Sequence, residues 1–347
     1  MKAAVLHGVD DLRWEEIDTP RAGPGEVVIR VRAAGICGSD LPRVLGPAAH
    51  YYPIVLGHEF SGEVAEVGRG VEGLAPGRRV TAAPLVPCMR CENCQKGDYA
   101  LCRNYKFIGS SRAGGFAEYV CVPARNVVPF DESVGFVQGA FFEPATVGLH
   151  GLLQAGYRGG ESVAILGGGT IGLFAMQWAR ILGARRTVVF DLNPARLELA
   201  LRMGADVAVN TAQPGALERA AALAGPAGYG FVFETAGQNA TMRLAFELAA
   251  PRAKVCFIGT SAADLQFGWK LFEQMNRKEF TLTGSWMSYS APFPGREWLD
   301  TAACFAGGRL WFDNALVYRT FPMAQAAQAF ALFKGGRVGG KVMLVND

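Results

Sequence analysis

Four cysteines stand close together in the sequence, separated by two, two and seven residues: Cys88, Cys91, Cys94 and Cys102. Four thiolates on one short loop can close a tetrahedral zinc site, and such a site is structural because it leaves no position for water. An iron–sulfur cluster is one alternative, but its bacterial spacing ends with three residues before a Cys-Pro pair. A nucleic-acid-binding ribbon is another, but it usually separates its cysteine pairs by a longer gap. The spacing therefore favours a structural zinc lobe near residues 88–102.

A second group of possible metal ligands is spread over three separate segments. Cys37 lies in GICGSD, His58 in GHEFSG and Glu143 in FFEPATVGLH. One thiolate, one imidazole and one carboxylate form a three-ligand zinc set that keeps one position open for a substrate. Taken singly, each residue has an ordinary explanation as a core thiol, a loop histidine or a helix cap. Their occurrence together, ahead of a nucleotide-binding pattern, favours a catalytic metal.

The nucleotide-binding pattern is the segment Gly167–Gly172, GGGTIG, which fits G-x-G-x-x-G. Gly167 permits the tight turn, Gly169 lets the backbone approach a pyrophosphate, and Gly172 lets the helix pack closely on the strand. That helix begins with Thr170 and Ile171, which lie between the last two glycines. The unpaired N–H groups at the start of the helix face the anion. Because the turn follows an apolar strand, we predict a dinucleotide site rather than an ordinary strand–helix turn.

The acidic residue expected about 20 positions after the glycine turn is Asp191, at the end of the strand TVVFD. A carboxylate there accepts hydrogen bonds from the ribose hydroxyl groups and repels a 2′-phosphate, so NAD is favoured over NADP. Arg196 follows soon after and keeps NADP open as an alternative.

The elements that must position these residues change character near residue 150. Before it, short β-like runs are punctuated by Pro and Gly, as in an irregular β-rich domain. After it, strands and helices alternate in the βαβ rhythm of a doubly wound parallel sheet, so the fold class is α/β. The predicted strands of that sheet are Ser162–Leu166, Thr187–Asp191, Asp206–Asn210, Phe231–Glu234, Lys254–Gly259 and Phe280–Gly284.

The composition excludes several classes of protein. The chain has 347 residues, enough for two domains, and 50% of them are hydrophobic, which excludes a disordered chain. Its net charge of +3 is too small for a dedicated nucleic-acid or membrane-surface protein. The first residues do not resemble a secretion or transit signal, so we expect a cytoplasmic protein. In a reducing cytoplasm, the eight cysteines are expected to be ligands or core residues rather than disulfides.

The motifs resemble those of the zinc-dependent medium-chain dehydrogenase/reductase family. The signature is Gly57-His58-Glu59-x2-Gly62-x5-Gly68, joined by the four-cysteine lobe, GGFAEY and the glycine turn. The resemblance covers essentially the whole chain. It implies a GroES-like catalytic domain formed by residues 1–149 and 290–347, and a Rossmann NAD-binding domain formed by 150–289. It also implies a cofactor content of NAD and two Zn²⁺ per chain.

Within the family, several stretches resemble the branch that oxidises galactitol 1-phosphate to tagatose 6-phosphate with NAD. They are CGSDLPR, HYYPIVLGHEFSG, FIGSSRAGGFAEY, EPATVGLH and GSWMSYS. Sorbitol and threonine dehydrogenases share the general motifs but match these stretches less well. The main alternative is therefore an enzyme for unphosphorylated polyols. A distant alternative is a zinc- and dinucleotide-binding protein without catalytic activity.

The resemblance assigns roles to the residues around the catalytic zinc. Cys37, His58 and Glu143 hold the ion, Glu59 exchanges on and off it, and Ser39 accepts the proton of the substrate hydroxyl group. In many relatives a histidine that relays this proton lies five residues after the ligand cysteine. Here that position is Pro42, so the final route of the proton is open.

Further residues are expected to contact substrate, cofactor or a second subunit. Arg43 and Arg112 are candidates for the substrate phosphate, because a guanidinium group binds phosphate with two hydrogen bonds. Lys341 is expected to reach the cofactor pyrophosphate. In the family, the sixth strand of the Rossmann sheet pairs with its copy in another subunit, so we expect a homodimer, with a homotetramer as the alternative. No nucleic-acid or membrane partner is expected.

Overall fold

The chain divides into two compact units. The computed structural model describes residues 1–261, 263–336 and 338–346. One unit comprises Met1–Glu143, Tyr289–Gly308 and Asn314–Asp347, and the other comprises Pro144–Ser288 and Arg309–Asp313. The first boundary thus falls at residue 143 rather than 149. Residues 309–313 belong to the second unit because the backbone of Trp311 exchanges two hydrogen bonds with the side-chain amide of Gln177.

The strands are numbered here in chain order. They are β1 (Lys2–Gly8), β2 (Asp11–Glu16), β3 (Glu26–Gly35), β4 (Ile54–Val55), β5 (Glu59–Val67), β6 (Arg79–Ala82), β7 (Leu85–Val86), β8 (Lys106–Phe107), β9 (Tyr119–Pro123), β10 (Val127–Pro129), β11 (Ser162–Leu166), β12 (Arg186–Asp191), β13 (Val207–Asn210), β14 (Tyr229–Glu234), β15 (Ala249–Phe257), β16 (Thr281–Gly284), β17 (Val317–Pro322) and β18 (Lys341–Val345).

The α-helices are numbered in the same way. They are α1 (Leu41–Val44), α2 (Glu92–Lys96), α3 (Phe136–Gly139), α4 (Phe142–Gln154), α5 (Thr170–Ile181), α6 (Pro194–Arg202), α7 (Ala216–Ala224), α8 (Asn239–Leu248), α9 (Trp269–Phe272), α10 (Gln274–Lys278), α11 (Arg296–Ala306) and α12 (Ala326–Lys334). Short 3-10 helices lie at Gly38–Asp40, Tyr99–Leu101, Ala124–Asn126, Asn314–Leu316 and Met323–Gln325. None of the helices in the described residues combines the length and apolar character that crossing a bilayer requires.

The second unit is built on a six-stranded parallel sheet. Its strand order is β13-β12-β11-β14-β15-β16, and every neighbouring pair is parallel. This is the order of a doubly wound dinucleotide-binding sheet. The central strand β11, SVAIL, is buried along its whole length, as expected for a strand covered on both faces. The predicted α/β class with a doubly wound parallel sheet is confirmed.

The first unit is an irregular, mostly antiparallel β structure, in which β17 and β18 form a parallel pair. Its largest sheet runs β10-β6-β5-β3-β18-β17, and β9 also pairs with β3. The long strand β3 is the centre, because its first half pairs with β9 and its last residues pair with β18. The core beside it is apolar and includes the edge-to-face rings of Phe116 and Phe330. The carboxyl end of β3 therefore lies between β5 and β18, where the metal candidates are found.

Candidate functional site

Strand register brings together residues that are far apart in sequence. In the antiparallel pair β3–β5, Gly35 lies opposite Glu59, so the chain leaving β3 carries Cys37 next to His58. The ligand atoms of Cys37, His58 and Glu59 all lie within 4.8 Å of one another. In tetrahedral zinc sites, bond lengths of 2.0 to 2.3 Å separate neighbouring ligand atoms by about 3.3 to 3.8 Å. A thiol, an imidazole and a carboxylate at this spacing fit a zinc ion.

The side chain of Asp40 contacts two residues of this group, Cys37 and His58. This side chain is 0% exposed. One carboxylate oxygen accepts a hydrogen bond from the backbone N–H of Cys37 at 3.0 Å, and the other lies 3.5 Å from Nδ1 of His58. Burial lowers the pKa of His58, but the Asp40 carboxylate and the Cys37 thiol outweigh it, so the pKa lies well above its usual value. Asp40 is therefore placed to orient two candidate ligands from a fully buried position.

We predict that the Asp40→Asn variant loses about 10- to 100-fold in zinc affinity or in kcat/KM, the usual cost of removing a group that orients a metal ligand. Asparagine can still accept the hydrogen bond of Cys37 but carries no charge beside the imidazole of His58. Zinc retention against a graded series of chelator concentrations measures the effect. Asp131→Asn is the matched control, because Asp131 accepts a hydrogen bond from a loop N–H in the same unit, away from the ligands. Equal zinc retention in the two variants would contradict this role.

Lys341 has a different partner from the predicted pyrophosphate. Its Nζ lies 2.7 Å from Oε1 and 2.6 Å from Oε2 of Glu59, and the two side chains are only 10% and 2% exposed. Burial opposes the charged ammonium group, but the Glu59 carboxylate and the Cys37 thiol outweigh it, so the pKa of Lys341 is raised. The register of β18 against β3 explains the contact, since Met343 pairs with Gly35 and places Lys341 at the metal group.

Glu143 lies at the start of α4 and is partly buried. It is not part of the group whose ligand atoms lie within 4.8 Å of one another. Burial raises the pKa of Glu143 to about 7; the charge of His58 lowers it and that of Glu59 raises it, so these groups are close enough to interact. Tyr289 is buried beside it, and burial together with the Glu143 carboxylate raises the pKa of its phenol well above the usual value.

The four predicted lobe cysteines converge. The distances between Sγ atoms are 3.5 Å for Cys91–Cys94, 3.9 Å for Cys91–Cys102 and 4.0 Å for Cys88–Cys94. Four sulfur atoms bound to zinc at about 2.3 Å lie about 3.8 Å apart, so the cluster fits the ion. Backbone N–H groups of Cys94 and Arg103 lower the pKa of Cys91 to about 6, whereas burial raises that of Cys94 to about 12. A bound cation deprotonates such a thiol and offsets the cost of burying its charge.

The glycine turn of the second unit has the geometry of an anion cradle. Gly167 has a φ of +110°, a value that favours glycine. A Cβ atom on Gly172 would lie 1.9 Å from the carbonyl oxygen of Gly167, so only glycine allows this approach. A Cβ on Gly169 would meet nothing within 4 Å, so that glycine leaves open space at the N-terminus of α5. The N–H groups at Thr170 and Ile171 begin that helix, and the open space fits a pyrophosphate.

Asp191 closes the turn from the end of β12. Its carboxylate accepts hydrogen bonds from the N–H of Gly168 at 2.7 Å and of Asn193 at 2.8 Å. Nη1 of Arg196 lies 3.7 Å from the same carboxylate. The predicted cofactor residues of this unit therefore lie together at the carboxyl ends of β11 and β12, where doubly wound sheets bind ligands.

The two arginines predicted to bind phosphate have different surroundings. Arg43 follows the Gly38–Asp40 turn, and its guanidinium group donates to the carbonyl oxygen of the exposed residue Ser39. Within the described residues, its buried Nε has no hydrogen-bond partner. Arg112 instead forms an ion pair with Glu26 at 2.6 Å and donates to the carbonyl of Cys121. Arg43 thus contacts the turn that follows Cys37, whereas Arg112 is held by other partners.

Sequence reasoning missed two contacts that the structure shows at the metal group. One is the pairing of Lys341 with Glu59, and the other is the burial of Tyr289 beside Glu143. The stretch GSWMSYS contains Tyr289, but nothing in its spacing distinguishes this tyrosine from a surface residue. Tyr289 also accepts a hydrogen bond from the N–H of Leu85 through its hydroxyl oxygen, and both residues belong to the first unit.

Comparisons with known proteins agree with these sites. Residues 23–132 match the alcohol dehydrogenase GroES-like domain, and residues 170–301 match the zinc-binding dehydrogenase family. The chain is 41% identical over 320 residues to galactitol 1-phosphate 5-dehydrogenase of Escherichia coli K12, covering 92% of each protein. It is 35% identical over 272 residues to sorbitol dehydrogenase of Bacillus subtilis, covering 75% of each.

A solved structure gives the same result for the fold. The crystal structure of galactitol-1-phosphate dehydrogenase from Escherichia coli superposes with a TM-score of 0.94 at 39% identity and covers 100% of both chains. These matches, with the two metal groups, confirm the predictions of a GroES-like unit, a Rossmann unit and an oxidoreductase that uses zinc and NAD. The chain therefore belongs to the zinc-dependent medium-chain dehydrogenase/reductase family.

Proposed function

We propose that this protein oxidises a secondary hydroxyl group of a polyol phosphate, and that its reaction converts galactitol 1-phosphate to tagatose 6-phosphate with NAD. The observation that carries the proposal is the group formed by the partly buried Cys37 and the buried His58 and Glu59, next to the buried Asp40 carboxylate. The substrate is supported by the 41% identity to the Escherichia coli enzyme over nearly the whole chain.

In this reaction, some residues would bind the zinc ion and another would carry the substrate proton. Cys37, His58 and Glu143 would hold the zinc ion, with Glu59 as an exchangeable fourth ligand. When bound, zinc supplies a Lewis acid that lowers the pKa of a substrate hydroxyl group. Ser39 lies two residues after Cys37 and is exposed, so its hydroxyl group can take the substrate proton and pass it to water. Ser39 thereby offers a proton route that does not need the histidine replaced by Pro42.

The cofactor preference follows from Asp191. Its carboxylate faces the N–H of Gly168 inside the glycine turn, where the adenosine ribose of a dinucleotide binds. A 2′-phosphate there would meet the negative charge of a partly buried carboxylate, so NAD is favoured over NADP. Arg196, at 3.7 Å from the carboxylate, is engaged by Asp191 rather than presented to a phosphate. The lobe of Cys88, Cys91, Cys94 and Cys102 would hold the second zinc ion of the chain.

Arg43 is the proposed ligand of the substrate phosphate. It lies four residues after Ser39, and its buried Nε has no partner within the described residues. We predict that Arg43→Ala lowers kcat/KM for galactitol 1-phosphate about 10- to 100-fold, the value of a hydrogen bond to a charged group. The rate with galactitol itself should be almost unchanged. Arg112→Ala is the control, because Arg112 is paired with Glu26, and it should not discriminate between the two substrates. An equal loss on both substrates in the Arg43→Ala variant would sink the phosphate role.

A second candidate is a dehydrogenase of unphosphorylated polyols, favoured by the 35% identity to the Bacillus subtilis sorbitol dehydrogenase. Initial rates of NADH formation with galactitol 1-phosphate, galactitol and sorbitol decide between the two candidates. We also propose a cytoplasmic location, because none of the eight cysteines, all of which lie in the described residues, forms a disulfide, which fits a reducing compartment.

A homodimer is the proposed assembly, through the edge strand β16. Leu282 on this strand is 39% exposed and Trp286 just after it is 58% exposed, so an apolar strand edge faces outward. Unprotected edges of this kind pair with another strand. We predict that Leu282→Arg converts the dimer to a monomer in sedimentation velocity runs. Leu201→Arg, at an exposed leucine of α6, should leave the dimer intact. A monomeric wild-type protein would contradict the proposal.

A further inference from the structure

Lys341 and Glu59 form an ion pair that is not needed to bind a metal ion at this site. Both carboxylate oxygens of Glu59 lie within 2.7 Å of Nζ of Lys341, in surroundings where the two side chains are 10% and 2% exposed. A buried pair of this kind resists separation, because either charge left alone in the interior is strongly unfavourable. The ammonium group is therefore held at Glu59 and is not presented to solvent.

The backbone at the end of β3 and in β18 leaves room for this contact and fixes its position. A Cβ atom on Gly35 would lie 2.6 Å from Oε2 of Glu59 and 3.2 Å from Cδ of Lys341, so a larger residue would displace both side chains. The backbone N–H of Ile36 donates to the carbonyl of Val342 at 2.9 Å, which fixes β18 against the end of β3. Lys341 thus approaches Glu59 from a rigid strand.

Glu59 consequently has two competing partners. Its carboxylate lies within 4.8 Å of the ligand atoms of Cys37 and His58, so it can also reach an ion held by them. Bound to the ion, Glu59 would occupy the position that a catalytic zinc keeps open for its substrate. Bound to Lys341, it leaves that position available.

We propose that Lys341 is a positioning residue that holds the Glu59 carboxylate off the metal and keeps one coordination position exchangeable. The inference rests on the proposed function, because it requires an ion at Cys37 and His58. It differs from a role for Lys341 at the cofactor pyrophosphate, since the ammonium group is engaged by Glu59 on both oxygens. The proposed role also differs from a general electrostatic effect of a positive charge near the metal, because Lys341 acts only through Glu59.

A double-mutant cycle tests the inference. Lys341→Met, Glu59→Gln and the double variant are prepared with Co²⁺ in the catalytic position, and the visible spectrum and the rate of metal release to excess chelator are recorded. In Lys341→Met, Glu59 should join the ion, change the cobalt spectrum and slow metal release about tenfold, a coupling within the range for residues in direct contact. In the Glu59→Gln background, the same lysine substitution should change neither quantity. Lys341→Arg should restore the wild-type spectrum.

Other results would overturn the inference. An equal slowing of release with and without Glu59 would show a simple charge effect. An unchanged cobalt spectrum with weaker NAD binding, measured by titration of the same metal-loaded variant, would place Lys341 at the pyrophosphate. Failure of the proposed function looks different: the wild-type chain would then bind metal only at the four-cysteine lobe, one ion per chain. A stable fold in each variant is checked by its circular dichroism spectrum.

Discussion

The Cys37→Ser variant is expected to lose at least about a thousandfold in kcat/KM, since a metal Lewis acid contributes several kcal/mol and each 1.36 kcal/mol is tenfold in rate. Serine keeps the size of the side chain but replaces the thiolate, the ligand that zinc binds most strongly in this set. Metal analysis should show a fall from two zinc ions per chain to one. Steady-state kinetics and metal content on the same preparation measure both effects.

The matched control for this prediction is Cys121→Ser. Cys121 lies on β9 in the same unit, with its Sγ 3.5 Å from Oε2 of Glu26, and burial raises the pKa of this thiol to about 11. A hydroxyl group can make the same contacts, so zinc content and rate should be close to those of the wild type. If Cys37→Ser retained both zinc ions or more than a tenth of the rate, Cys37 would not be a catalytic ligand.

The second large effect is expected at the four-cysteine lobe. Structural zinc is almost always bound by four ligands. The Cys91→Ser variant keeps only three thiolates, so the lobe should lose its ion. Metal binding at structural sites contributes directly to folding, so we expect a loss of about 3 kcal/mol or more and a Tm lower by about 6 to 12 °C. Differential scanning calorimetry and metal analysis give the two quantities.

Cys37→Ser serves as the control for Cys91→Ser, and the reverse also holds. The first variant should lose activity while its Tm stays close to that of the wild type, because the lobe keeps its ion. The second should lose stability while the catalytic ion remains. Loss of both ions in either single variant would contradict the division into a catalytic and a structural site.

Hydrophobic runs predicted the second unit well, because a strand buried on both faces must be continuously apolar. The strand Ser162–Leu166 lies where SVAIL predicted it. The strand β15 was predicted from Lys254 but begins at Ala249. Its early part pairs Ala249 with Tyr229, and the register then shifts around Arg252, whose φ of +64° bends the strand. A single sequence shows no pattern for such an irregular pairing.

Ligand types could be predicted from local motifs, but their partners could not. Cys37 and His58 stand in recognisable short stretches, and register alone brings them together. Lys341 and Glu59 are 282 residues apart in the sequence, and Arg112 and Glu26 are 86 residues apart. Neither pairing can therefore be predicted from a local sequence pattern. Asp40 is fully buried next to His58, and its short local motif does not show that burial.

The proposed reaction is tested most directly by the ratio of kcat/KM for galactitol 1-phosphate to that for galactitol, measured as NADH formation by the zinc-loaded protein. We predict a ratio of at least about 10, since a charge-assisted hydrogen bond to phosphate contributes about 1.5 to 3 kcal/mol. A ratio near one, or faster oxidation of the unphosphorylated polyol, would contradict the account.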